Sequence, residues 1–97
     1  MTNEFGFLRQ LELVIAERRA APPDTSYTTS LFAAGRQRIA QKVGEEGVEL
    51  ALAGVGDDRS RVVAETADLL YHVLVLLAVQ QVSLQEVVQE LERRHQP

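Results

Sequence analysis

The amino-acid sequence predicts an all-α protein of four to five helices that form a bundle completed by homodimerisation. Apolar residues recur at spacings of three and four in several long segments, and no strand-like alternation is long enough to compete. Prolines, glycines and capping residues separate these segments. The chain has 97 residues, so we expect one domain over 1–97. Its small core favours a partner subunit.

The first helix is expected over 4–20, where apolar residues such as Leu8 and Ile15 share one face. Two consecutive prolines end it, because proline lacks the N–H group that a helix uses. A short helical turn is expected over 28–35, with Gly35 as its left-handed stop.

Two long helices are expected next, over 36–53 and 59–81. Asp57 or Asp58 supplies the side-chain acceptor that caps the second of them. Apolar residues surround the axis of that helix after Leu69. This pattern predicts a helix that is covered on all sides, and we favour a second subunit as the cover.

The last helix is expected to follow Ser83 and to end at Arg94. Ser83 and Glu86 form a capping box, in which each side chain accepts the backbone N–H of the other residue. Gly44 and Gly47 weaken the earlier 36–53 helix by up to ~1 kcal/mol each relative to alanine. We interpret them as places where a substrate or a neighbouring helix approaches closely.

Composition excludes several classes of function. The net charge is −4 and no arginine-rich tract is present, so nucleic acid is not expected as a partner. The absence of cysteine excludes thiolate zinc sites and cysteine nucleophiles. No signal peptide is recognised, and the apolar run Leu69–Val79 is shorter than the ~20 residues that cross a bilayer. We therefore expect no membrane association and a cytosolic protein.

Two helices each carry two carboxylates three residues apart, Glu46 with Glu49 and Glu65 with Asp68. At about 100° per residue, each pair lies within about 60° on one face. Two antiparallel helices can therefore present four carboxylates to one point. Like charges at this density repel unless a cation compensates. Oxygen ligands without histidine or cysteine favour Mg²⁺, Mn²⁺ or Ca²⁺ over zinc.

Two other interpretations of the acidic residues stay open. Carboxylates at this spacing usually form a solvated helix face, although apolar residues beside both pairs indicate shelter here. A di-iron site needs two Glu-x-x-His pairs, and the sequence offers one, Glu92 with His95 in the last turn. The iron interpretation is therefore weak.

Three cations, Arg36, Arg38 and Lys42, precede the acidic residues on the same helix. A metal ion and basic side chains can divide the charge of a polyphosphate between them. The pattern therefore favours a polyphosphate substrate over a merely solvated helix end. His72 could support a carboxylate, but a hydrogen-bonded core histidine is the more common case.

The sequence resembles the phosphoribosyl-ATP pyrophosphohydrolases of histidine biosynthesis over nearly its whole length. The resemblance rests on SYTTSLFAAG at 26–35, RIAQKVGEEGVELALA at 38–53 and ETADLLYHVLVLL at 65–77. The pattern E-E-x-x-E followed by E-x-x-D is shared with the wider MazG-like helical nucleotide pyrophosphohydrolases. The run RIAQKVGEEGVE together with DLLYH is narrower and indicates the histidine-pathway family.

The resemblance implies a homodimeric, all-helical enzyme that splits phosphoribosyl-ATP between its α and β phosphates. It implies Mg²⁺ as cofactor, with Mn²⁺ as a possible substitute, and no covalent intermediate. Transferred by position, the metal ligands are Glu46, Glu49, Glu65 and Asp68, and the phosphate contacts are Lys42 and Arg38. Arg36 and Tyr27 are further candidates for substrate binding. Glu45 binds a second metal or orients the attacking water.

Many members of this family are fused to the zinc-dependent cyclohydrolase of the next step, whose motif uses cysteine. Because this chain has no cysteine, we expect only the pyrophosphohydrolase step. Two functions compete with it. One is a housekeeping hydrolase for non-standard nucleoside triphosphates, which shares the metal chemistry. The other is a helical dimerisation module without activity, for which the acidic residues are only surface.

Overall fold

The computed structural model describes residues 3–97 and contains five helices and no strand within that range. In chain order they are α1 (Gly6–Arg18), α2 (Tyr27–Ala34), α3 (Arg36–Gly54), α4 (Arg59–Val79) and α5 (Leu84–Arg94). The predicted all-α class is confirmed. Each predicted helix is present, with ends that differ from the expected ones by about two residues or fewer.

Local capping explains where most of the helices begin. The Ser26 hydroxyl accepts the Thr29 N–H, and the Thr29 hydroxyl accepts the Ser26 N–H. These two bonds form a capping box at the start of α2. Asp58, rather than Asp57, caps α4 by accepting the Arg61 N–H. The predicted capping box of Ser83 is present at the start of α5.

Two positions with positive φ control the ends of helices. Gly35 has φ 100° and both ends α2 and precedes α3. Gln81 has φ 57° and is the only non-glycine residue with positive φ in the described part of the chain. There Gln81 donates its N–H to Ala78 and Val82 donates to Leu77. This is a Schellman motif, and it ends α4 two residues earlier than predicted.

The core forms where α1, α2, α3 and α4 meet. Helix α4 packs against α3 and α1, and α2 packs against α3 and α1. The core cluster consists of Ile15, Leu31, Ile39, Leu74 and Val75. The first turn of α5 is attached to α1, because Glu12 accepts the Leu84 N–H at 2.7 Å. No residue of α5 is fully buried.

Helix α4 is partly covered by its own chain. Every residue over 71–79 is buried or half-buried, whereas Val63 is 69% exposed and Leu70 45% exposed. By length and composition alone α4 could cross a membrane, with a mean hydropathy of 1.8 over its most apolar window. Core helices of soluble proteins pass the same test. Leu74 and Val75 of α4 are among the most buried residues of the core.

Candidate active site

Three of the four predicted metal ligands lie together between α3 and α4. One carboxylate oxygen from each of Glu46, Glu49 and Glu65 lies within 4.8 Å of the other two. Glu46 is only 7% exposed, Glu65 is half-buried and Glu49 is exposed. The cluster therefore extends from the interior of the helix pair to its surface. We call these three residues the carboxylate cluster.

Two oxygens of the carboxylate cluster are buried without a partner. Glu46 Oε2 and Glu65 Oε2 accept no hydrogen bond from any residue in the described range. A buried polar atom left in this state costs about 1–3 kcal/mol, and more when it is charged. Their donor set, made only of carboxylate oxygens, is the type that Mg²⁺ and Mn²⁺ prefer. The residues present therefore fit a divalent cation.

Lys42 is the cation nearest to this cluster. Its Nζ lies 3.5 Å from Glu45 Oε1 and 3.5 Å from Glu46 Oε1. Desolvation lowers the pKa of Lys42, but Tyr27 and the carboxylates of Glu45 and Glu46 together raise it above its ordinary value. Lys42 therefore stays protonated and available to a phosphate at neutral pH.

Glu45 lies on the exposed side of the same helix and is outside the carboxylate cluster. The Gln41 amide donates to Glu45 Oε2 at 3.1 Å. This bond, together with Lys42 and the charge of Arg38, holds the pKa of Glu45 below its ordinary value. Glu45 is therefore ionised at neutral pH, and Arg38 lies close enough to influence it.

Asp68 and Arg36 stand apart from the carboxylate cluster. Asp68 follows Glu65 by one turn of α4 and is exposed. Arg36 lines a different cavity of about 300 Å³, beside Arg19 and Phe32. Among the described residues, no carboxylate lines that cavity. The structure therefore places Arg38 and Lys42 near acidic residues, but not Arg36.

Tyr27, the fourth candidate for substrate binding, begins α2 and is 53% exposed. Its hydroxyl lies 3.0 Å from Nε2 of His72, a residue that is only 5% exposed. The His72 Nδ1 lies 2.7 Å from the backbone oxygen of Asp68. Next to this group, the hydroxyls of Thr28 and Tyr71 share a second hydrogen bond between α2 and α4. His72 is therefore a hydrogen-bonded core histidine.

The two helix glycines do not touch other parts of the chain. A Cβ built at Gly44 or at Gly47 meets no atom within 4 Å in the described residues. No other helix in the described residues approaches either glycine closely, so the predicted close approach of a substrate or a neighbouring helix stays a prediction. The space beside both positions is open to a substrate or to a second subunit.

A comparison with known families shows to which family the chain belongs. A family model described as phosphoribosyl-ATP pyrophosphohydrolase matches residues 8–95. The chain belongs to the phosphoribosyl-ATP pyrophosphohydrolase family. The family resemblance found in the sequence is thereby confirmed.

The curated relatives are longer proteins named histidine biosynthesis bifunctional protein HisIE. The one from Photobacterium profundum is 55% identical over 89 residues, covering 92% of this chain and 43% of the relative. The one from Escherichia coli O6:H1 is 56% identical over 94 residues, covering 97% and 46%. The one from Vibrio cholerae is 52% identical over 93 residues, covering 96% and 44%. The chain spans less than half the length of these relatives.

The carboxylate cluster lies within the range that the family model matches. The conspicuous acidic segments that carry the resemblance supply the carboxylate cluster. The bond between Tyr27 and His72 was not predicted from the sequence. It joins residues 45 positions apart, and no local pattern indicates such a pairing.

Proposed function

We propose that this chain is a Mg²⁺-dependent hydrolase that converts phosphoribosyl-ATP to phosphoribosyl-AMP and pyrophosphate, the second step of L-histidine biosynthesis. The observation that carries the proposal is the carboxylate cluster, with a lysine beside it and two buried oxygens that accept no hydrogen bond from residues 3–97. Membership in the phosphoribosyl-ATP pyrophosphohydrolase family supports the choice of substrate.

Glu46, Glu49 and Glu65 would hold the Mg²⁺ ion, and Asp68 is a fourth candidate one turn along α4. Mn²⁺ is a possible substitute, because it accepts the same oxygen ligands. When bound, the ion would offset negative charge on the triphosphate and on the departing pyrophosphate. It would also relieve the repulsion among the three carboxylates, which Lys42 offsets in part.

The other side chains have roles that follow from their charge and position. Lys42 binds the phosphates and stabilises the charge that develops on pyrophosphate as the bond between the α and β phosphates breaks. Arg38 assists from the exposed side of α3. Glu45, ionised and next to Lys42, orients the attacking water or binds a second metal. Tyr27 and Arg36 are further candidates for substrate binding, Tyr27 from the start of α2 and Arg36 from the cavity that it lines.

A homodimer is part of the proposal. Val48 and Leu52 on α3, with Val55 directly after its end, form an exposed stripe with exposures of 61%, 59% and 86%. Val63 and Leu70 form another on α4. The radius of gyration is 14.7 Å, whereas a compact chain of this length has about 12.5 Å. A second copy would cover these stripes. We place the enzyme in the cytoplasm.

The proposal is tested by incubating the purified protein and Mg²⁺ with phosphoribosyl-ATP, and in parallel with ATP and dATP. Pyrophosphate and the matching monophosphate are followed by chromatography. We expect selective formation of phosphoribosyl-AMP, which EDTA abolishes and Mg²⁺ or Mn²⁺ restores. Glu49→Gln should abolish the activity, whereas Glu17→Gln, a neutralised carboxylate on α1, should not. Preference for ATP or dATP would indicate a housekeeping hydrolase instead. No product from any of the three would favour a binding module.

A further inference from the structure

One cavity lies apart from the carboxylate cluster and carries positive charge. It measures about 300 Å³ and is lined by the segment that follows α1, by α2, by the start of α3 and by the last turn of α4. Its charged residues are Arg19 and Arg36, and no carboxylate of the described residues lines it. In a chain of net charge −4, this is a local excess of cations. Such a site favours an anion.

Arg19 is held at the wall of this cavity by the end of α4. Its Nη1 donates to the backbone oxygen of Ala78 at 2.9 Å, and the next residue, Val79, lines the cavity. A guanidinium carries five N–H donors, so four remain after this bond. None of the ion pairs found within residues 3–97 includes Arg19. Arg19 can therefore present a fixed pair of donors to two oxygens of one phosphate.

Arg36 is the second cation of the cavity, and it also has no counter-charge. It is the first residue of α3, is exposed, and takes part in no ion pair within residues 3–97. Lys42 on the same helix differs, because its Nζ lies 3.5 Å from carboxylate oxygens of two glutamates. Two cations that line one cavity are stabilised by an anion that contacts both. A phosphate group, with about two negative charges at neutral pH, meets this condition.

The other walls favour a phosphate that is carried by an organic group. Phe32 and Val79 are half-buried apolar residues, and Pro23 adds a third apolar surface. Thr29 also lines the cavity, but its hydroxyl is already bonded to the backbone oxygens of Pro23 and Ser26. The polar contacts to a ligand must therefore come mainly from the two arginines, and the carbon skeleton of the ligand would pack on the apolar walls.

We propose that this cavity is a binding site for a sugar phosphomonoester, in which Arg19 and Arg36 hold the phosphate oxygens and Phe32 packs against the sugar. The site is separate from the carboxylate cluster, because Arg36 precedes Glu46 by ten residues, about 15 Å along α3. Two sources carry this group: the ribosyl phosphate of phosphoribosyl-ATP, which ATP lacks, and a free sugar phosphate. Only the first source rests on the proposed function.

The first test measures the binding of ribose 5-phosphate by NMR titration in EDTA, with ribose as the comparison ligand. Without a divalent cation the carboxylate cluster repels a phosphate, so the binding reports on the cavity. Ribose 5-phosphate should bind the parent protein, and ribose should not. Arg36→Gln should weaken the binding about tenfold, because a hydrogen bond to a charged group is lost. Arg19→Gln should weaken it by a similar factor.

Arg18→Gln is the matched control, since it removes the same charge one residue before Arg19, and Arg18 does not line the cavity. Its dissociation constant for ribose 5-phosphate should stay within about twofold of the parent value, because solvent and salt screen an exposed charge. Arg19→Gln also loses the bond to Ala78 and should melt lower, whereas Arg36→Gln loses no such bond. The proposal is overturned if the parent binds ribose 5-phosphate no more tightly than ribose, or if Arg18→Gln weakens the binding as much as Arg36→Gln.

Kinetic measurements with Mg²⁺ then distinguish the two sources. If the cavity takes the ribosyl phosphate of the substrate, ribose 5-phosphate inhibits competitively and Arg36→Gln raises the KM for phosphoribosyl-ATP about tenfold. If the cavity takes a free sugar phosphate, Arg36→Gln weakens the binding of ribose 5-phosphate but keeps the KM of the parent. A parent protein that forms no product from phosphoribosyl-ATP contradicts the proposed function, and the titration in EDTA still decides whether the cavity binds a sugar phosphate.

Discussion

Replacing Glu65 by glutamine tests whether the carboxylate cluster is strained in the absence of a cation. The change keeps the size of the side chain and removes one charge from a group whose oxygens lie within 4.8 Å. Two charges at that distance repel by about 3 kcal/mol at an effective dielectric constant of about 20. Glu49 is exposed and Lys42 offsets part of the charge, so we expect a net gain of about 1–2 kcal/mol in the unfolding free energy in EDTA.

The difference in stability between Glu65→Gln and the parent should change sign when Mg²⁺ is added. A ligand at a hundred times its dissociation constant stabilises the folded state by about 2.7 kcal/mol. The parent protein should gain this increment, and Glu65→Gln should gain little because it has lost a charged ligand. In thermal unfolding at one protein concentration, 1 kcal/mol corresponds to about 4–8 °C in a domain of this size. Glu65→Gln should therefore melt higher than the parent in EDTA and lower in Mg²⁺.

Glu17→Gln on α1 is the control for the change in net charge. It should leave the melting temperature nearly unchanged both in EDTA and in Mg²⁺. The reasoning is refuted if Glu65→Gln melts lower than the parent in EDTA. That result would mean that Glu65 makes a favourable contact in the folded protein, so that its charge is already compensated. If Mg²⁺ raises the melting temperature of the parent and of Glu65→Gln equally, Glu65 is not a ligand.

Three further predictions concern the ends of the helices and the exposed stripe. The Leu84 N–H donates to Glu12 and lowers the pKa of that carboxyl below its ordinary value of 4.5. The bond therefore contributes its full stabilisation above pH 4.5, and this stabilisation is lost as the pH falls through the lowered pKa. Glu12→Gln should cost about 1 kcal/mol in chemical unfolding at pH 7, and this cost should shrink as the pH falls below 4.5. A constant difference would contradict this account. Gln81→Gly should raise the unfolding free energy by about 1 kcal/mol, because glycine adopts positive φ without strain; no gain would mean that the glutamine side chain stabilises this turn. Leu52→Gln should weaken the proposed dimer in sedimentation velocity without unfolding the monomer, and an unchanged dimer would place the interface elsewhere.

The helices could be predicted closely because strong local signals separate them. Tandem prolines end α1, and Gly35 separates α2 from α3. Asp58 and Ser83 cap the last two helices with side chains whose chemistry is visible in the sequence. The end of α4 lacked such a signal, since a glutamine occupies the position where glycine is usual.

The carboxylate cluster was predictable for a similar reason. Residues three apart share a helix face, so the pairing of Glu46 with Glu49 needs only helical geometry. The same geometry separates Arg36 from Lys42 and the carboxylates. Arg36 precedes Lys42 by six residues, which places it about 240° around the helix and thus on another side. The Tyr27–His72 bond depends on how α2 packs against α4, and single-sequence periodicity carries no information about that packing.

Glu46 and Glu49 of the carboxylate cluster lie beside the exposed apolar stripe on α3, and this arrangement couples metal binding to dimer formation. Glu45, Glu49 and Leu52 follow one another at spacings of four and three, so the acidic edge continues directly into the stripe. A second copy that covers the stripe would form a wall beside the carboxylates and exclude water from one side of them. Lower local polarity strengthens the attraction of the cluster for a cation and the attraction of Lys42 for phosphate. Dimer formation and metal binding should therefore reinforce each other, since each relieves a cost that the single chain carries on the same helix.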